Sequence, residues 1–213
     1  MSDTGSTFSA IVQQLLAGNV ICEASNEHLF RYLQDDQNLA DIRQYLHRVN
    51  RSVRETTDGK AYLCCYSDPN ETEAKQAIRE QFRLLAGDLE SLVKWLRLVM
   101  SCTSAGRPIV SGDILQEAEL ISAIASSPVQ AADLDELCKA GLFKSAASDG
   151  KGKIRQITEK LRQDGYLIPR GKSGASFLAT GKWSWLYDTM EFIQMHEALD
   201  EDEAGKSDQM GLI

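Results

Sequence analysis

Between residues 38 and 66 the hydrophobic pattern changes period, and that change restricts the fold more than any other feature of the chain. Residues 38–49 carry Leu39, Ile42, Leu46 and Val49 three or four positions apart, the spacing of an amphipathic helix. From Ser52-Val53-Arg54-Glu55-Thr56 onward the pattern alternates. Asp58-Gly59 is a two-residue hairpin signal, and Ala61-Tyr62-Leu63-Cys64-Cys65-Tyr66 supplies the returning strand. Upstream, Phe8, Ile11, Val12, Leu15 and Leu16 form an apolar helical stripe that Gly18 stops. Val20-Ile21-Cys22 can form a short strand, and Ser25 and Asn26 can cap a helix carrying Leu29, Phe30 and Leu33. Helix, short strand, helix, helix, hairpin is the order of a winged helix-turn-helix.

The order recurs. Residues 72–86 predict a helix ended by Gly87, and residues 88–102 a second, more apolar one; together they join the halves. Ile109-Val110 predicts the next short strand, residues 112–125 a helix, Pro128 the end of that neighbourhood, and residues 132–140 a short helix. Residues 152–163 predict a helix closed by Gly165, followed by strands at 166–169 and 175–178 around Arg170-Gly171-Lys172-Ser173-Gly174. Thr180 caps a last helix with Trp183, whose place on an apolar stripe suits a core. The triplet Ile42-Arg43-Gln44 returns as Ile154-Arg155-Gln156, 112 positions later. The expectation is a mainly α fold with small β-hairpin wings, in tandem winged-helix domains. It divides into an N-terminal domain (1–67), connecting helices (68–103), a C-terminal domain (104–196) and an acidic, frayed tail (197–213).

Charge separates the halves. The chain is net −8, yet residues 139–172 hold nine basic residues against Asp149, Glu159 and Asp164, a local excess of six positive charges. A basic helix followed by a basic wing suits phosphate contact by counterion release. The candidate DNA-binding residues are Lys151, Lys153, Arg155, Lys160, Arg162, Arg170 and Lys172. The segment lacks a cluster of Asn or Gln suited to reading base edges, so the expected contact is to double-stranded DNA without sequence preference. The same shape also mediates protein contacts, and the first wing region is only mildly basic. An acidic chain points to macromolecular partners rather than to free-standing DNA binding.

No catalytic constellation emerges. His28, His47 and His196 fall in different elements with no metal-ligand spacing. Gly171-Lys172-Ser173 lacks the spacing of a phosphate-binding loop, and the five cysteines form no C-x-x-C pair. The expectation is no enzyme activity, no metal and no cofactor. With neither a leader-like N-terminus nor a long apolar run, a cytoplasmic chain without membrane contact is expected.

Four stretches carry a family resemblance: residues 8–20, 42–65 and 154–178, and Thr180-Gly181-Lys182 leading into the helix of Leu186 to Ile193. In these the chain resembles the MukE/MksE-type subunits of bacterial condensin-like SMC complexes, the tandem winged-helix kite proteins. The length suits the MksE-like branch. The resemblance implies a homodimer formed largely through the N-terminal winged helices, for which Phe8, Ile11, Val12 and Leu15 are candidates. It also implies a kleisin (MksF-like) partner bridging an SMC ATPase (MksB-like), DNA clamped on the ATPase heads, and a nucleoid location. The role implied is non-catalytic, in chromosome organisation and segregation or in plasmid defence. The alternative is a winged-helix transcription regulator.

Overall fold

The structure, a computed structural model, describes the backbone of residues 3–171 and 174–209 and the side chains of residues 5–171 and 174–195. It is mainly helical, with two three-stranded antiparallel sheets.

The N-terminal half runs α1 (Asp3–Leu16), β1 (Ile21–Cys22), α2 (Glu23–Leu33), α3 (Asp36–His47), β2 (Arg51–Glu55) and β3 (Ala61–Tyr66). Gly18 ends α1 with φ +79°, and the amides of Gly18 and Asn19 return to the carbonyls of Leu15 and Gln14. Only glycine takes that left-handed position without strain, so the stop is written into one residue. A single turn from Glu23 precedes the expected cap: Asn26 is non-helical, and its Oδ1 accepts the Leu29 amide at 3.1 Å. Asp35 caps α3 in the same way through Asn38 N. The hairpin pairs Arg51 with Tyr66 and Glu55 with Tyr62, while β1 joins the other edge of β3, giving the order β1-β3-β2. Ile11, Leu15, Leu33, Ile42 and Leu46 fill the core between these layers.

The expected break at Gly87 is corrected: residues 72–102 form one helix, α4 (Thr72–Cys102). An interior glycine costs only about 1 kcal/mol relative to alanine. Leu85, Leu92, Trp95, Leu96 and Val99 are buried on one face across it, and that packing outweighs the local preference. These residues belong to the second core, so α4 helps to build the C-terminal half.

The C-terminal half continues with β4 (Ile114–Gln116), α5 (Glu117–Ser126), α6 (Pro128–Leu137), a 3-10 turn (Gly141–Phe143), α7 (Gly150–Gln163), β5 (Leu167–Pro169), β6 (Ser176–Ala179) and α8 (Lys182–Gln209). The expected strand at Ile109-Val110 is not formed. There Asp113 accepts the Val110 amide at 2.9 Å and pairs with both terminal nitrogens of Arg107, closing a turn instead. Gly112, with φ +91°, cannot start a helix, so strand and helix both move downstream, to Ile114 and Glu117. Pro128 opens α6 at its first turn, behind the Ser127 cap, where its missing N–H has no helical partner to lose. The second sheet has the order β4-β6-β5, matching the first: the leading strand, then the second and first strands of the hairpin. The repeated triplet is not part of that correspondence. Ile42 stands nine positions before β2, whereas Ile154 stands thirteen before β5.

Candidate functional site

The basic segment folds as α7, β5, a glycine-bearing turn and β6. Asp149 caps α7 by accepting the Gly152 amide at 3.2 Å. Ile154, Ile157, Thr158 and Leu161 face inward, and Lys151, Arg155, Gln156, Glu159, Arg162 and Gln163 lie exposed on the other side. Thr158 donates to the buried Glu117 carboxylate at 2.6 Å, tying α7 to α5. Gly165, φ +79°, ends the helix as Gly18 ends α1, with Tyr166 N bonded to Leu161 O. In the turn, Arg170 N donates to Ser176 O at 2.8 Å, and Gly171 and Gly174 both have positive φ. Lys172 lies outside the described residues.

The seven candidate cations do not share one fate. Lys153 is paired with Asp135 at 2.7 Å and is largely buried. Lys160 is paired with Asp164 at 2.8 Å. Arg162 grips Glu159 through two bonds of 2.7 and 2.6 Å. Those bonds, with one from Gln163, hold the Glu159 carboxyl down to about 2. Arg155 stands 4.0 Å from the second oxygen of Glu117. Lys151 and Arg170 are exposed and form no ion pair among the described residues. Lys139 and Lys144 share that state and were not among the seven. They flank the 3-10 turn, whose following Ser145 bonds Gln156 of α7. The charge tally of the segment included both lysines, and only the ion pairing distinguishes them from the others.

Ile11 and Leu15 are fully buried and Val12 nearly so, all within the chain's own N-terminal core. Phe8 is half-buried and meets Tyr45 edge-on at 5.6 Å. The apolar surface at this end is Tyr45, Val49 and Leu16, 47%, 54% and 49% exposed. A helical stripe reads the same whether it faces a core or a partner. Here Ile11, Val12 and Leu15 face the core, while Leu16 and Val49, at the ends of the two stripes, stay exposed.

Of the cations near the first hairpin, Arg43 donates to Val53 O at 3.1 Å and Arg51 stacks 3.7 Å over the Tyr66 ring. A cleft of about 390 Å³ lies between the halves, walled on one side by Leu63, Leu85, Leu92 and Trp185 and elsewhere by Gln81, Asp88, Lys160 and Asp164. Lys182 lines the cleft, its ammonium held below the usual lysine range by burial and donating to Asp164 O at 2.5 Å. Trp183 is fully buried, as its stripe implied. His28 bonds Thr7 at 3.0 Å. Among the described residues no group of His, Cys, Asp and Glu is placed to hold a metal, and no helix is long and apolar enough to cross a membrane.

A family model described as condensin complex protein MksE matches residues 6–186. No individual curated protein matches the chain.

Proposed function

Because the chain belongs to the MksE family of condensin complex proteins, we propose that it is the non-catalytic accessory subunit that joins a kleisin to an SMC ATPase and touches the DNA they enclose. The family match over most of the chain carries this reading. The two sheets of identical strand order, each with its helices, support a tandem winged-helix architecture. The first unit, with the exposed Tyr45 and Val49, is the pairing face of a homodimer. The cleft between the units, with both apolar and charged walls, is the seat for an amphipathic kleisin segment. The second unit meets double-stranded DNA without sequence preference, through Lys139, Lys144, Lys151 and Arg170 before the paired cations of α7. In this role the subunit works on the nucleoid, in chromosome organisation or plasmid defence.

Co-expression with the genes beside its own tests the proposal: a kleisin-like protein should co-purify with the chain in stoichiometric amounts. Absence of such a partner, together with tight binding of the isolated chain to one operator sequence over random DNA, would establish a transcription regulator instead.

A further inference from the structure

A hairpin that acts as a nucleic-acid wing must project into solvent. The first hairpin keeps Thr57, Asp58 and Lys60 exposed, but its tip is tethered. Its turn folds on itself, with Asp58 accepting Thr56 Oγ1 at 2.8 Å and Lys60 N at 3.1 Å. The same turn is then held by the other half of the molecule. Ser184 Oγ, at the start of α8, donates to Asp58 Oδ2 at 2.7 Å, and Thr57 N donates to Asp188 Oδ2 at 3.0 Å. One turn back, Gly181 N donates to Cys22 Sγ at 3.2 Å, in a buried position. A Cβ on Gly181 would stand 2.9 Å from Cys22 Cβ, closer still to Ala61 Cβ, and 3.4 Å from Lys60 O. Neither contact distance is one that real side chains adopt, so only glycine lets β1, β3 and α8 approach this closely.

The segment that grips the hairpin is itself tied down behind. Thr180 Oγ1 donates to Gly165 O at 2.6 Å, and Lys182 Nζ to Asp164 O. Residues 180–188 therefore clasp the end of α7 on one side and the first hairpin on the other. The buried apolar residues form two clusters, one per half, with no member in common. Besides the continuous helix α4, the halves are coupled here by polar bonds and one glycine fit.

We infer that the β2–β3 turn is an intramolecular latch. It locks the attitude of α7 to the first sheet and leaves the first hairpin unable to move independently of α8. The inference stands apart from kleisin binding and from DNA binding, and its test uses neither.

Hydrogen exchange on the full chain reads the latch directly. In a Ser184→Ala/Asp188→Ala variant two of the clasping bonds are gone. The amides of Thr57 and Gly181 should then exchange about 5–30-fold faster, the factor expected for one or two net hydrogen bonds. Amides in α3 and α7 should keep their wild-type rates. Gly181→Ala should speed exchange at the same two amides, and adding Ala61→Gly should slow it again by relieving the closest contact. Wild-type exchange at Thr57 and Gly181 in the double variant, or no recovery on adding Ala61→Gly, would overturn the latch.

Discussion

The division of the basic segment into paired and unpaired cations makes a quantitative prediction about salt. A contact to a duplex phosphate releases condensed counterions and contributes about 0.9 to the slope of log affinity against log salt. Among the described residues Lys151 and Arg170 have no carboxylate partner to give up. A Lys151→Gln/Arg170→Gln variant should therefore flatten the slope by about 1.8. If counterion release supplies the whole contact energy, the loss at 0.1 M salt is about eightfold per contact, or roughly sixtyfold for both. The control is Glu159→Gln/Arg162→Gln. It removes a mutually satisfied, exposed pair, leaves the net charge unchanged, and should leave the slope within about 0.3 of wild type. Fluorescence anisotropy of the assembled complex on a duplex of arbitrary sequence, from about 50 to 200 mM salt, measures both. Equal flattening by the two variants would refute the argument that ion pairing decides which cations face phosphate. No flattening by the first would remove this surface from the DNA contact altogether.

Other consequences are as open to measurement. Glu117→Ala removes the bond that ties Thr158 to α5 and leaves its hydroxyl only the carbonyls of its own helix, Ile154 O and Arg155 O; thermal unfolding should report a loss of about 0.5–1.5 kcal/mol, and Glu117→Gln a smaller one. Burial pushes the Asp113 carboxyl upward, but bonds from Arg107 and the Val110 amide outweigh it and set it below the usual range. A depressed folded value gives stability that is present above the ordinary carboxylate range and lost as pH falls through the folded one. The melting temperature should thus hold from pH 7 to about 5 and drop below about 4, and Asp113→Asn should lower the plateau and flatten the acid limb. At the N-terminal end, Tyr45→Glu with Val49→Glu should convert the proposed dimer to a folded monomer in light scattering. Ile11→Ala should instead destabilise the fold by about 2–5 kcal/mol at unchanged stoichiometry of whatever remains folded. Retention of the dimer by the first variant would place the pairing face elsewhere.

What the sequence discloses here is local, and what it hides is set by distance along the chain. The Asp58-Gly59 turn, the stops at Gly18 and Gly165 and the cap at Asn26 each depend on a few adjacent residues, and each forms where the sequence put it. Gly87 misled because its local cost is small beside a stripe of packing that continues past it. Ile109-Val110 and Ile114-Leu115 are equally plausible short strands by composition. The choice fell to the second because its residues meet Phe177 and Leu178 of β6, more than sixty positions away. Ile109 went to the core, its carbonyl accepting the Tyr187 hydroxyl. The excess of positive charge was readable, but its pairing was not: Lys153 finds Asp135, and Arg155 nears Glu117, across separate elements. The apolar stripe of α1 was likewise readable without saying whether a core or a partner would cover it.

Helix α4 has a consequence beyond connection. At about 1.5 Å per residue its 31 residues span about 46 Å. A loop between two units absorbs an added residue by bending. A helix does not: one residue inserted in the stretch between Ala74 and Leu85 would advance everything beyond it by about 1.5 Å and rotate it by about 100°. The second sheet would then swing around the helix axis, away from the first hairpin that α8 holds. Seven inserted residues, close to two full turns, would restore the angle to within about 20° but add about 10 Å of separation. The number of residues in this segment therefore acts as a phase setting between the two units, and neither the angle nor the spacing can drift without the other.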